Sequence, residues 1–129
     1  VMAALCVLSA TKLPAQEPQN EEERLKNLYE AVDKEIERQT TSLDLEDWQV
    51  FYMDSILTCN LNGRKDEMMK LNEAKVSNVD AYTRISDKWM EATYVAIRKI
   101  LDEEQWVRYN RTGAAKEKKA RDKRAAKNQ

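Results

Sequence analysis

From Leu25 to Tyr109 the apolar residues of this chain return every three or four positions, and nowhere do they alternate. That spacing places them on one side of an α-helix and cannot place them on one face of a strand. Leu25, Leu28, Tyr29, Val32 and Ile36 predict a first helix over residues 20–40, with Glu21, Glu22 and Glu23 in its opening turn, where the helix dipole favours carboxylates. Thr40-Thr41-Ser42 is read as its end. A second helix is expected over 44–61, with Leu45, Trp48, Tyr52, Ile56 and Cys59 on one face. Asn60-Leu61-Asn62-Gly63 reads as a break, because Asn and Gly accept left-handed backbone. The helical pattern resumes over 64–75 through Met68, Leu71 and Ala74. Ser77 or Asn78 would cap the next helix, whose stripe is Tyr82, Ile85, Trp89, Ala92, Ala96 and Ile100. A last helix begins near residue 103, carries Trp106 and Tyr109, and turns polar beyond Gly113. The fold expected is all-α: four to five helices in an elongated antiparallel hairpin or bundle, with no sheet. Two Gly and two Pro in 129 residues are too few to punctuate a sandwich or barrel. Aromatic residues at helical spacing read as core, Trp48, Trp89 and Trp106 included.

Two segments resemble each other. Leu43-Asp44-Leu45-Glu46-Asp47-Trp48 and Leu101-Asp102-Glu103-Glu104-Gln105-Trp106 share the pattern Leu-Asp-x-Glu-(Asp/Gln)-Trp, 58 residues apart. Asp44 and Asp102 stand where a carboxylate accepts hydrogen bonds from the free amides of a helix start. Asp47 and Gln105, three residues on, can reach back to the cap amide. Leu43 with Trp48, and Leu101 with Trp106, have the spacing of a hydrophobic staple. These eight residues are read as structural supports that fix two helix starts.

The segment Leu101-Asp102-Glu103-Glu104-Gln105 resembles the Leu-Thr-x-x-Gln motif of the Spy/CpxP family of periplasmic stress proteins, with Asp102 in the place of Thr. In the first copy Asp44 and Asp47 replace Thr and Gln. Proteins of that family are small, exported and almost entirely helical, and carry the motif twice. The resemblance implies a thin, curved antiparallel helical dimer, binding of unfolded polypeptides without ATP, and a supporting role for the motif residues.

Residues 2–10 are uncharged and largely apolar, too short to span a bilayer. With Ala15 before a polar stretch they read as a secretory signal, residues 1–15, and place the protein in the periplasm or otherwise outside the cytoplasm. Removing them leaves Cys59 as the one cysteine, expected to be buried on the apolar side of its helix. With no His in the chain there is no imidazole for acid–base catalysis or metal binding. The two glycines, Gly63 and Gly113, build no phosphate cradle. No catalytic, cofactor or metal residues are assigned, and a non-enzymatic binding protein is expected.

The net charge of −1 conceals an asymmetry. Residues 16–115 carry 14 basic and 21 acidic side chains. Residues 116–129 carry seven basic ones (Lys116, Lys118, Lys119, Arg121, Lys123, Arg124 and Lys127) against Glu117 and Asp122. This tail is read as a solvated extension of the last helix, with an electrostatic arm for an anionic membrane surface or acidic partner as the functional version. No aromatic residue interleaves the cations, so nucleic acid is the least favoured partner. The expected partners are an unfolded client or envelope protein, or a second copy of the chain. The alternative is a structural or regulatory envelope protein with one dedicated partner, or one bound to an anionic surface through the basic tail.

Overall fold

The computed structural model describes residues 20–129, all helix and short turn. Helix α1 (Glu21–Leu43) starts at Asn20, whose side chain accepts from the Glu22 amide. Helix α2 (Asp47–Glu73) runs back along it, and α3 (Val79–Ile100) reverses again after an Asn78 cap. Helix α4 (Glu103–Tyr109) passes through a five-residue π-helical segment, Asn110–Ala114, into α5 (Ala115–Lys127). This is an all-α antiparallel bundle. At 1.5 Å per residue α2 is about 40 Å long, and it lies between α1 and α3.

Val32, Leu43, Met53, Leu57, Ile97, Leu101 and Tyr109 form the core, with Ile36, Leu61, Tyr94 and Trp106 packed against it. The core is thin for the length of the helices. It is concentrated toward the end where the α1–α2 and α3–α4 turns lie side by side.

Several sequence expectations are corrected. Thr40-Thr41-Ser42 does not end α1: the two threonine hydroxyls donate to the carbonyls of Ile36 and Glu37 and stay inside the helix. The end comes at Asp44, whose backbone is left-handed (φ 50°, ψ 54°). Asn60–Gly63 is no break either. Gly63 lies inside the continuous α2 because the Trp89 indole of α3 rests on it: a Cβ there would lie inside the van der Waals envelope of Cη2, Cζ2 and Cζ3 of that ring. Asn60 faces the same helix, donating to Thr93 Oγ1 at 3.0 Å. Gly113, at φ 106°, bends the chain where the sequence reads as an unbroken extension of the last helix.

The inward side of α2 is Gln49, Met53 and Leu57, one position round from the predicted stripe. Cys59 is consequently exposed, not buried, and so are Trp48 and Tyr52. Ala92 of the α3 stripe also faces solvent, while Thr93 and Ile97 are buried. The run read as a signal, residues 1–15, lies outside the described residues.

The basic tail is docked, not a free rod. Arg121, 7% exposed, bonds Glu91 of α3 through Nε and Nη2 (both 3.2 Å) and lies over the Tyr94 ring. Lys118 reaches Glu91 (2.8 Å) and Asp122 (2.7 Å), and Arg124 makes a two-pronged contact with Asp87 at 2.7 Å. Lys116, Lys119 and Lys123 stay on the solvent side. Arg121 is the one buried side chain within α5, so ion pairs and the Gly113 bend hold this helix with little apolar help. Glu91→Ala leaves the Arg121 guanidinium without its carboxylate, and hydrogen exchange over residues 115–127 is expected to quicken roughly tenfold, about 1.4 kcal/mol of local opening. Unchanged exchange rates would show that the pairs contribute nothing.

Candidate functional site

The best-defined polar constellation is at the end of the bundle where the two turns meet. Glu46, not Asp44, is the residue at the start of α2, and Gln49 is its third helical residue. The Glu46 amide donates to Gln49 Oε1 at 2.9 Å. In the second copy Asp102 caps α4 as expected: it accepts from the Gln105 amide (2.8 Å), and its own amide donates to Gln105 Oε1 (3.1 Å). The structural repeat is therefore Leu45-Glu46-x-x-Gln49 with Leu101-Asp102-x-x-Gln105, 56 residues apart, and the counterpart of Gln105 is Gln49, not Asp47.

The two glutamines face each other, 3% and 5% exposed. Gln49 Nε2 donates to Gln105 Oε1 (2.7 Å) and Gln105 Nε2 to Gln49 Oε1 (3.0 Å). The remaining N–H groups cross over: Gln49 donates to the Ile100 carbonyl that ends α3 (2.8 Å), and Gln105 to the Leu43 carbonyl that ends α1 (3.2 Å). A primary amide offers two donors and two lone pairs, and here each amide has all four engaged. Each glutamine thus serves the amides at the start of its own helix and a free carbonyl at the end of a helix in the other hairpin, the groups every helix leaves unpaired.

The other predicted support residues are distributed around this pair. Leu43 and Leu101 are core. Asp44 is moved from helix start to helix end, where its carboxylate meets Arg108 Nη1 at 3.2 Å, and Arg108 also donates to the Leu43 carbonyl. Asp47 lies exposed in the first turn of α2. Trp106 is half-buried, stacked on Tyr109 with centroids 5.6 Å apart and covered by Arg98. Trp48 departs most from expectation: it lies on the surface, its indole N–H donating to the Glu46 carboxylate at 2.5 Å.

Trp48 is not alone there. Phe51 and Tyr52 follow one turn later, and the three are 50%, 68% and 52% exposed. Tyr52 meets both neighbours edge-on, at centroid distances of 6.3 and 5.5 Å. They form a continuous aromatic face on the outer side of α2, next to the glutamine-tied end. An exposed leucine is ordinary, but three neighbouring aromatic rings left in water, joined through Tyr52, make this face a candidate binding surface.

Among the described residues several hollows lie elsewhere, two of them with mainly aliphatic and methionine walls. One, of about 320 Å³, is bounded by Gln39, Met53, Leu57, Ile97 and Tyr109 and rimmed by Glu35, Arg38 and Glu117. Burial, with Glu35 and Glu117 nearby, pushes the Tyr109 phenol up to about 12. Burial also acts to raise Glu35, but hydrogen bonds from Arg38 and Gln39 and the Arg38 charge outweigh it and hold this carboxyl below its ordinary value. The second is an open groove of about 690 Å³ between the first half of α1 and the second half of α2, lined by Leu28, Leu61, Met68 and Met69, with Tyr82 of α3 also in its wall. Among the described residues no three His, Cys, Asp or Glu side chains cluster as metal ligands would, and no helix is long and apolar enough to cross a membrane. Comparisons with family models, with curated proteins and with solved structures find no match to this chain.

Proposed function

We propose that this is an exported, non-enzymatic helical protein of Spy/CpxP-like architecture that binds unfolded or envelope polypeptides, with the outer aromatic face of α2 as its contact surface. The observation that carries this reading is the Trp48–Phe51–Tyr52 face. Large rigid rings with a polar edge supply contact area at small entropic cost and tolerate varied partners, which suits a surface meeting many sequences. Two further features support it. In the structural register both repeats read Leu-acid-x-x-Gln, nearer to Leu-Thr-x-x-Gln than the alignment on tryptophan. The glutamine pair also holds the scaffold rigid beside the face without taking part in it.

Aggregation of several unrelated unfolding proteins, followed by light scattering without nucleotide, tests the proposal. Suppression of all of them near equimolar ratio is the expected result. Inactivity toward every one would favour an envelope protein with a single dedicated partner.

A further inference from the structure

The groove between α1 and α2 is separate from the aromatic face and differs from it in chemistry. Its floor is Leu28, Leu61, Met68 and Met69; its rim carries Arg24, Arg64 and Lys65 and no acidic residue. Such a rim is unusual in this molecule. Over residues 16–115 acidic side chains outnumber basic ones by 21 to 14, and Arg38, Arg98, Arg108, Arg121 and Arg124 have carboxylate partners, while Arg84 and Arg111, like the rim, have none among the described residues. Among the described residues none of the three rim cations forms an ion pair. Arg64 donates only to the thioether of Met90, at 3.7 Å, a weak acceptor that leaves the guanidinium fork free for a planar anion.

We propose that this groove binds a single-chain anionic amphiphile, a carboxylate-headed alkyl chain, with its head on the three rim cations and its tail along the methionines. The size fits: 690 Å³ lies within the range of small-molecule sites, which combine apolar walls with a few placed polar groups. The shape fits as well. The α2 wall extends from Leu61 to Asn72, about 16 Å at 1.5 Å per residue, with Arg64 and Lys65 inside that length, an open strip for the head and the chain together. Methionine adapts to a flexible chain better than a branched side chain does. Head and floor must act together, since exposed cations alone attract any anion weakly.

The test is titration calorimetry of the full chain, below micelle-forming concentrations, with three ligands of equal tail: dodecanoate, dodecanol and dodecyltrimethylammonium. One dodecanoate per chain is expected, bound at least tenfold more tightly than dodecanol, with no saturable binding of the ammonium. Arg24→Glu/Arg64→Glu should abolish dodecanoate binding and admit the ammonium. If a thermal melt shows that variant unfolded, Arg24→Glu/Lys65→Glu replaces it, with a loss of at least tenfold expected. Equal affinity for dodecanoate and dodecanol, or dodecanoate binding untouched in a folded variant, overturns the proposal. So does displacement of dodecanoate by an acidic amphipathic peptide that binds more tightly, which assigns the groove to a polypeptide. Concentration-dependent dimerisation that the same substitutions abolish would assign it to a second copy, and equally overturns it.

Discussion

Replacing Gln49 or Gln105 by alanine is expected to destabilise the fold by about 3–4 kcal/mol, more than the loss of one ordinary hydrogen bond. The cost exceeds the bonds themselves because of what is stranded. Without Gln49 the Ile100 carbonyl, the Glu46 amide and both polar atoms of Gln105 lose a partner; the Gln105 amide is buried, while the carbonyl and the Glu46 amide are part-buried beside an open hollow. Each buried polar group left unpaired costs roughly 1–3 kcal/mol, partly relieved where the site can relax to admit water. For a domain of this size the loss lowers the melting temperature by about 15 °C. The pair should behave as a unit: the double variant Gln49→Leu/Gln105→Leu is expected to cost less than the sum of the single leucine variants, because each single change already leaves the other amide unsatisfied. Strict additivity in that cycle, measured by urea unfolding, would mean that the reciprocal bonds carry no coupling.

The second large effect is expected at Gly63. In an exposed helix Gly→Ala stabilises by about 1 kcal/mol; here the sign should reverse. A methyl group at this position must displace the Trp89 indole, a rigid ring held between α2 and α3, and overpacking of that kind costs typically about 1–3 kcal/mol beyond the propensity gain. We expect Gly63→Ala to lower stability by about 2 kcal/mol and to shift the fluorescence of Trp89. Gly63→Ala with Trp89→Leu should recover part of the loss relative to Trp89→Leu alone, because the methyl then fills space the indole has left. A stabilised single variant would show that the close approach does not exist.

These two sites also mark where the sequence was legible and where it was not. The helices, the acidic first turn of α1 and the Asn78 and Asp102 caps follow from local chemistry, and so they were readable. Gly63 was misread because its reason is across space: Asn-x-Gly signals a break until Trp89 is placed on it. The α2 stripe failed for a related cause. With α1 on one side and α3 on the other, α2 buries Gln49 and turns Trp48 and Tyr52 outward, so its apolar period no longer marks the core and Cys59 moved with it. The first motif was displaced because aspartate is a stronger cap than glutamate, which drew the helix start to Asp44; aligning the repeats on tryptophan then hid Gln49. A glutamine three residues after an acidic one, preceded by leucine, was present in both copies at a spacing of 56. The tail could be read as basic, but its docking could not, since Asp87 and Glu91 become its partners only once Gly113 bends the chain back.

The central claim is that the aromatic face of α2 is the working surface and the glutamine-tied bundle its support. The direct measurement is aggregation suppression by the variant Trp48→Ser/Phe51→Ser/Tyr52→Ser, beside its melting temperature. The account predicts that protection falls at least tenfold while the melting temperature moves by only a few degrees, since all three rings are half exposed or more. Full protection by a folded variant lacking the three rings would contradict it.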